Sequence, residues 1–185
     1  MIRRICSLSL LLMLSTSIGL ADNSSATDYL DLSKLEQAKQ FQFLVGNWTY
    51  ATADNSAHGK STGLLQVNES VISETTYGNY AGTAFIGQAL YLYDEKNQQW
   101  FQHWIDSLGT VLESTVKMAD YEESELPAMV GELEFQGQKL RHAWYNISEN
   151  AYQTDLLVSA DNGETYQLIR RMPYQKAVGA ESQAR

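Results

Sequence analysis

From residue 45 onward the chain alternates with a period of two. Trp48 and Tyr50 fall on one side of an extended segment, Asn47 and Thr49 on the other. Further strand-like runs follow at 62–69, 71–77, 83–93, 99–106, 110–118, 128–135, 139–147, 151–159 and 164–172. Turn-forming clusters separate them: Tyr77-Gly78-Asn79, Asp94-Glu95-Lys96-Asn97, Ser107-Leu108-Gly109, Gln136-Gly137-Gln138, Ser148-Glu149-Asn150 and Asp161-Asn162-Gly163. Short turns make consecutive strands antiparallel neighbours. An open sheet of about ten strands would leave two unpaired edges, and closure into a barrel removes them. A two-sheet sandwich is the alternative. The expected fold is all-β: a single antiparallel up-and-down β-barrel of about ten strands with a short N-terminal helix.

That helix is read at 33–42. Ser33 and Glu36 have capping-box spacing, and Leu35, Ala38 and Phe41 recur at helical intervals. Gly46 breaks the run before the first strand. Residues 53–61, small and polar, read as a loop. The acidic stretch 119–127 reads as the one long irregular connection, placed at a barrel end.

The first 21 residues have the make-up of a secretory signal: Arg3 and Arg4, a short apolar run at 5–14, and Gly19-Leu20-Ala21 before the cleavage point. The domain plan is a signal peptide at 1–21, a flexible leader at 22–32, the barrel at 33–174 and a disordered tail at 175–185. The expected location is the periplasm or the exterior. The only cysteine, Cys6, lies inside the signal, so the remaining chain has no disulfide, no cysteine nucleophile and no thiolate metal site. The formal charge of −9 becomes −11 once Arg3 and Arg4 are removed. A chain this acidic repels nucleic acid and anionic membrane surfaces. The apolar run is too short for a comfortable span of about 20 residues, so stable membrane insertion is not expected.

FQFLVGNW at 41–48, the strand ending YLYDEKNQQWFQHWIDS, and SADNGETYQLIRR resemble a bacterial family of uncharacterised lipocalin-like (calycin) proteins. Those proteins share a Phe-x-x-Leu-x-Gly-x-Trp start, a Trp-x-Asp strand and a closing strand with basic residues. The likeness covers roughly 41–172 and departs at Asn162 and Tyr166, where the family tends to carry Gly and Trp. The resemblance implies a lipocalin-like barrel in which Gly46 and Trp48 plug the narrow end. It also implies that Trp48 packs against an arginine of the last strand, Arg170 or Arg171.

Candidate chemistry is sparse. No Gly-x-Ser-x-Gly, P-loop, dinucleotide fingerprint or His-Glu-x-x-His occurs, and neither a cofactor nor a metal site is expected. His103 and His142 lie in strands, where they are candidates for acid–base chemistry with Asp106, Glu113 or Asp155. Glu74, Asp106, Glu113 and Asp155 each interrupt a half-apolar run. Any that faces inward becomes a candidate base or ligand anchor. Aromatic residues crowd the strands, and barrels walled by Trp and Tyr suit small apolar or amphipathic ligands. The expected ligand-binding set is Trp100, Trp104, Asp106, Trp144 and Tyr152, with a small apolar or amphipathic molecule as the partner. Three function classes follow: a non-catalytic ligand binder, a cofactor-independent cyclase or hydratase, and a filled structural barrel.

Overall fold

A computed structural model describes residues 28–67 and 70–177. The signal peptide, most of the expected leader and the tail beyond residue 177 lie outside the described residues. The alternating runs form ten strands: β1 (Gly46–Ala51), β2 (Ala57–Leu65), β3 (Val71–Tyr80), β4 (Thr83–Asp94), β5 (Gln99–Asp106), β6 (Val111–Ala119), β7 (Ala128–Phe135), β8 (Gln138–Tyr145), β9 (Ala151–Ser159) and β10 (Gln167–Lys176). Each pairs antiparallel with its sequence neighbour, and β1 closes against β10. The result is a closed, up-and-down, lipocalin-like barrel without a free edge. Among the described residues no helix is long and apolar enough to cross a membrane.

Three boundaries differ from expectation. The stretch read as a loop ends sooner, because β2 begins at Ala57. Its Gly59 looked like loop punctuation. In the barrel it makes room, since a Cβ there would lie 2.7 Å from the Tyr50 hydroxyl and 2.3 Å from the Tyr77 carbonyl. At the other end, β10 runs on through Gln175 to Lys176, residues assigned to the tail. Leu32, assigned to the leader, is fully buried, and the Leu30 amide donates to the Ile147 carbonyl.

The N-terminal helical segment is there, but as three single 3-10 turns, Leu32–Lys34, Gln37–Lys39 and Gln42–Leu44. The capping box does not form. Asp31 caps the first turn by accepting from the Ser33 amide, and Leu35 and Glu36 are extended. The cause is tertiary. Leu32 and Phe41 are both buried, yet nine residues apart they would point to opposite sides of one α-helix. Breaking the helix lets Leu32, Phe41 and Leu44 all reach the core.

These turns seal one end of the barrel. Phe41 packs edge-on to Trp100 and Trp144, each with ring centroids 5.2 Å away. The Trp48 indole donates to the Leu44 carbonyl (3.0 Å) and Trp100 to the Gln37 carbonyl (3.0 Å). Gly46 holds φ at +125°, a conformation that L side chains rarely adopt. Gly63 lets the plug lie directly on β2: a Cβ there would sit 2.0 Å from the Leu44 carbonyl oxygen. The cation facing Trp48 is Lys176, 5.9 Å from the ring, not the arginine pair implied by the resemblance. Arg170 stacks on Tyr80 instead, and Arg171 points away from the lumen to Asp155. Register and alternation explain the correction: Lys176 is the residue of β10 directly opposite Trp48, Arg170 lies farther back along that strand, and Arg171 is out of phase with the inward-facing residues.

A smaller core covers the outer wall. Tyr121, from the acidic connection 120–127, packs on Tyr145 with Ala128 and Ala143 nearby. Asp155 sits fully buried beneath it. It accepts from Tyr121 (2.7 Å), Tyr145 (3.1 Å) and both ends of the Arg171 fork (2.8 and 2.7 Å).

Candidate functional site

Opposite the plug the barrel holds a cavity of about 390 Å³, within the range of small-molecule sites. The strands reach it by alternation: Glu74 and Thr76 on β3, Gln102, Trp104 and Asp106 on β5, His142 and Trp144 on β8, Tyr152, Thr154 and Leu156 on β9, and Arg170, Met172 and Tyr174 on β10 all line it. Tyr80, Phe85 and Leu108 contribute from around the turns beyond.

Of the residues singled out in the sequence, Trp104, Asp106, Trp144, Tyr152 and His142 line the cavity. Trp100 does not; it belongs to the floor, packed edge-on to Phe41 and at a tilt to Tyr93. His103 and Glu113 are also excluded. They face outward, joined in a surface pair (3.2 Å) in which the side chains are 44% and 74% exposed. Two phases of β5 were possible from alternation alone. The lumen took Trp100, Gln102, Trp104 and Asp106, so His103 fell on the outside.

Trp104 is held by two neighbours. Its indole donates to Asp106 (3.1 Å). Gly87, directly behind it on β4, leaves the space its ring occupies, since a Cβ at 87 would lie 2.3 Å from the ring. Asp106 also accepts from the amides of Leu108 (2.9 Å) and Thr110 (3.0 Å). Burial opposes its charge, but these hydrogen bonds outweigh burial and hold its carboxyl below the usual range. Asp106 therefore ties the β5–β6 turn as well as facing the cavity.

The second inward carboxylate, and the more buried of the two, is Glu74, which the sequence flagged only as one of four strand carboxylates. It anchors a buried chain of hydrogen bonds across four strands. Ser114 donates to the Gln102 carbonyl oxygen (3.1 Å), the Gln102 amide to the Tyr91 hydroxyl (3.3 Å), and Tyr91 to Glu74 (3.0 Å). Burial pushes the Glu74 carboxyl up, against the pull of its hydrogen bonds. His142 moves the other way. It lies in the cavity wall, partly buried, with its ring 3.8 Å from that of Trp144. Desolvation pushes its pKa down to about 3, with Asp155 opposing and the Arg170 charge adding to the fall. At neutral pH it is an uncharged imidazole, able to donate one hydrogen bond and accept another. The tyrosines deeper in, Tyr91, Tyr152 and Tyr174, are raised well above their ordinary value, chiefly by burial.

Arg170 was considered in the sequence only as a partner for Trp48. It instead lines the cavity, its guanidinium carbon 3.9 Å from the centroid of the Tyr80 ring. Its signal was present: Arg170, Met172 and Tyr174 alternate in phase. Among the described residues no cluster of three His, Cys, Asp or Glu side chains is placed to hold a metal ion. The chain matches no protein-family model, and no curated protein matches it.

Proposed function

We propose that this chain is an exported, non-catalytic binding protein for a small apolar or amphipathic molecule, carried in the barrel lumen. The observation behind this reading is the cavity itself. It is walled by Trp104, Trp144, Tyr152 and Met172, with polar groups such as Gln102, His142 and Arg170 set among them. That mixture of large apolar faces and interspersed polar groups suits ligands of this kind. The export reading rests on the signal-like start. Trp104, Asp106, Trp144 and Tyr152 are the contact residues in this reading.

A second reading, an enzyme doing acid–base chemistry, draws support from Glu74 and His142. Both face one cavity, and burial disfavours the charged form of each. In this reading Glu74 replaces His103 and Glu113 as the working acid–base group.

Native mass spectrometry of protein purified from its own compartment tests the first reading. The expected result is a retained small molecule that leaves on denaturation and is returned unchanged. A co-purified compound converted to a product by the wild type but not by Glu74→Gln would replace the binder with the enzyme.

A further inference from the structure

Arg170 and Arg171 are consecutive, and their surroundings are opposite. Arg171 faces outward and is paired: two hydrogen bonds to Asp155 and a bridge to Glu123 at 3.2 Å. Arg170 faces the lumen. Among the described residues it has no ion pair and no hydrogen bond, and its Nε is buried without an acceptor. Stacking on Tyr80 orients the guanidinium plane but satisfies none of its five donors. Its terminal N–H groups are not among the buried unsatisfied atoms, so they stay open to an acceptor brought into the cavity.

The local backbone is adapted to present this side chain. A register shift between Leu168 and Arg170 marks a β-bulge in β10, with Leu168 opposite Leu157 and Arg170 opposite Leu156. Bulges re-aim side chains, and here the bulge turns Leu168 out while Arg170 joins Met172 and Tyr174 along the cavity. The neighbouring groups on this wall are donors or uncharged. Thr154, opposite Met172, has a buried hydroxyl with no hydrogen-bond partner. His142 lies opposite Leu156, the residue that faces Arg170. The two carboxylates of the cavity are engaged elsewhere: Glu74 with Tyr91, and Asp106 with Trp104 and the turn amides.

We infer that the lumen ligand is a flat or apolar monoanion, its carboxylate-like head on Arg170 beside Thr154 and its body against Trp104, Trp144 and His142. The inference rests on the proposed ligand-binding reading and names the ligand class. A planar carboxylate matches the guanidinium fork and can accept from its terminal N–H groups, which make no hydrogen bond among the described residues. Flat ring faces along the wall favour an aromatic or similarly apolar body.

Two probes with one carbon skeleton test it: 2-naphthoate and the uncharged 2-naphthylmethanol, titrated calorimetrically at pH 7.5. The wild type is expected to bind the anion at least about tenfold more tightly than the alcohol, the worth of a charge-assisted hydrogen bond. Arg170→Gln should erase that preference and leave alcohol binding within about twofold, while Arg170→Lys keeps part of it. Tyr80→Leu, which removes the stacking partner, should weaken the anion several-fold more than it weakens the alcohol. Equal affinities in the wild type would overturn the inference without any variant having to fold, and would leave the ligand-binding reading standing. Equal losses for both probes in Arg170→Gln would also overturn it. If neither probe binds the wild type, the inference falls together with the reading it rests on.

Discussion

Glu74 and His142 face one cavity, and burial moves their proton affinities in opposite directions. Glu74 holds its proton more tightly folded than unfolded, where its ordinary value is 4.5. Its contribution is therefore complete below pH 4.5 and is lost as pH rises through the raised folded value. His142 binds its proton less tightly folded, at about 3 against an ordinary 6.5. Its contribution is present above pH 6.5 and is lost as pH falls toward 3. Urea titrations between pH 4 and 8 are expected to separate the two. Glu74→Gln should gain stability relative to the wild type as pH rises above 4.5. His142→Gln should flatten the loss below pH 6.5, an effect on the order of 2–4 kcal/mol by pH 4. Parallel stability curves for wild type and both variants would show that neither group is desolvated in solution. At this scale the sequence was informative about residue type and silent about direction. It marked Glu74, Asp106, Glu113 and Asp155 as unusual strand carboxylates. Only closure of the barrel put Glu74 and Asp106 inside, Glu113 in water, and Asp155 beneath the acidic connection, because a period of two states which residues share a face and not which face is dry.

The connection 120–127 looks like a solvated acidic loop, and most of it is. Its Tyr121 nevertheless closes over Asp155, where Arg171 of β10 and Tyr145 of β8 converge. This brace joins three strands to a loop, and its centre is a buried carboxylate whose partners must all be present. Arg171→Met keeps the aliphatic stem and strands Asp155 in an apolar setting. The expected loss is about 3 kcal/mol, the lower end for breaking a buried pair, because Arg171 is 37% exposed. Urea unfolding at neutral pH measures it; a loss under about 1 kcal/mol would mean that the two tyrosines suffice. The strands themselves were legible from their alternation and turns. The brace was not, because it forms between residues 34 positions apart with no local pattern linking them. The helical turns were misjudged for a related reason. Capping-box spacing is a local preference, and burial of Leu32, Phe41 and Leu44 in one core overrode it.

The molecule has two unlike ends. One is stoppered by the N-terminal turns, Trp48 and Trp100; the other contains the cavity. The stopper and the cavity share a wall, since Phe41 touches Tyr91 and Trp144, both of which also line the lumen. Phe41→Ala should cost about 3–5 kcal/mol, as for other buried aromatic truncations, and should extend the lumen downward. The check is a denaturant midpoint together with the affinity for 2-naphthylmethanol. An unchanged midpoint would mean that the plug is not part of the cooperative core. Read from the chain alone, alternation and turn chemistry marked about ten antiparallel strands, with a barrel preferred to a sandwich, and the resemblance of the Gly46–Trp48 start implied the plug; strands and turns were legible because they depend on residues close in sequence. Which cation faces Trp48, which histidine faces water, and that Arg170 stands unpaired in the cavity were decided only by the tertiary structure. Those outcomes depend on strand phase, on the bulge in β10 and on contacts between distant strands, all of which exist only once the barrel has closed.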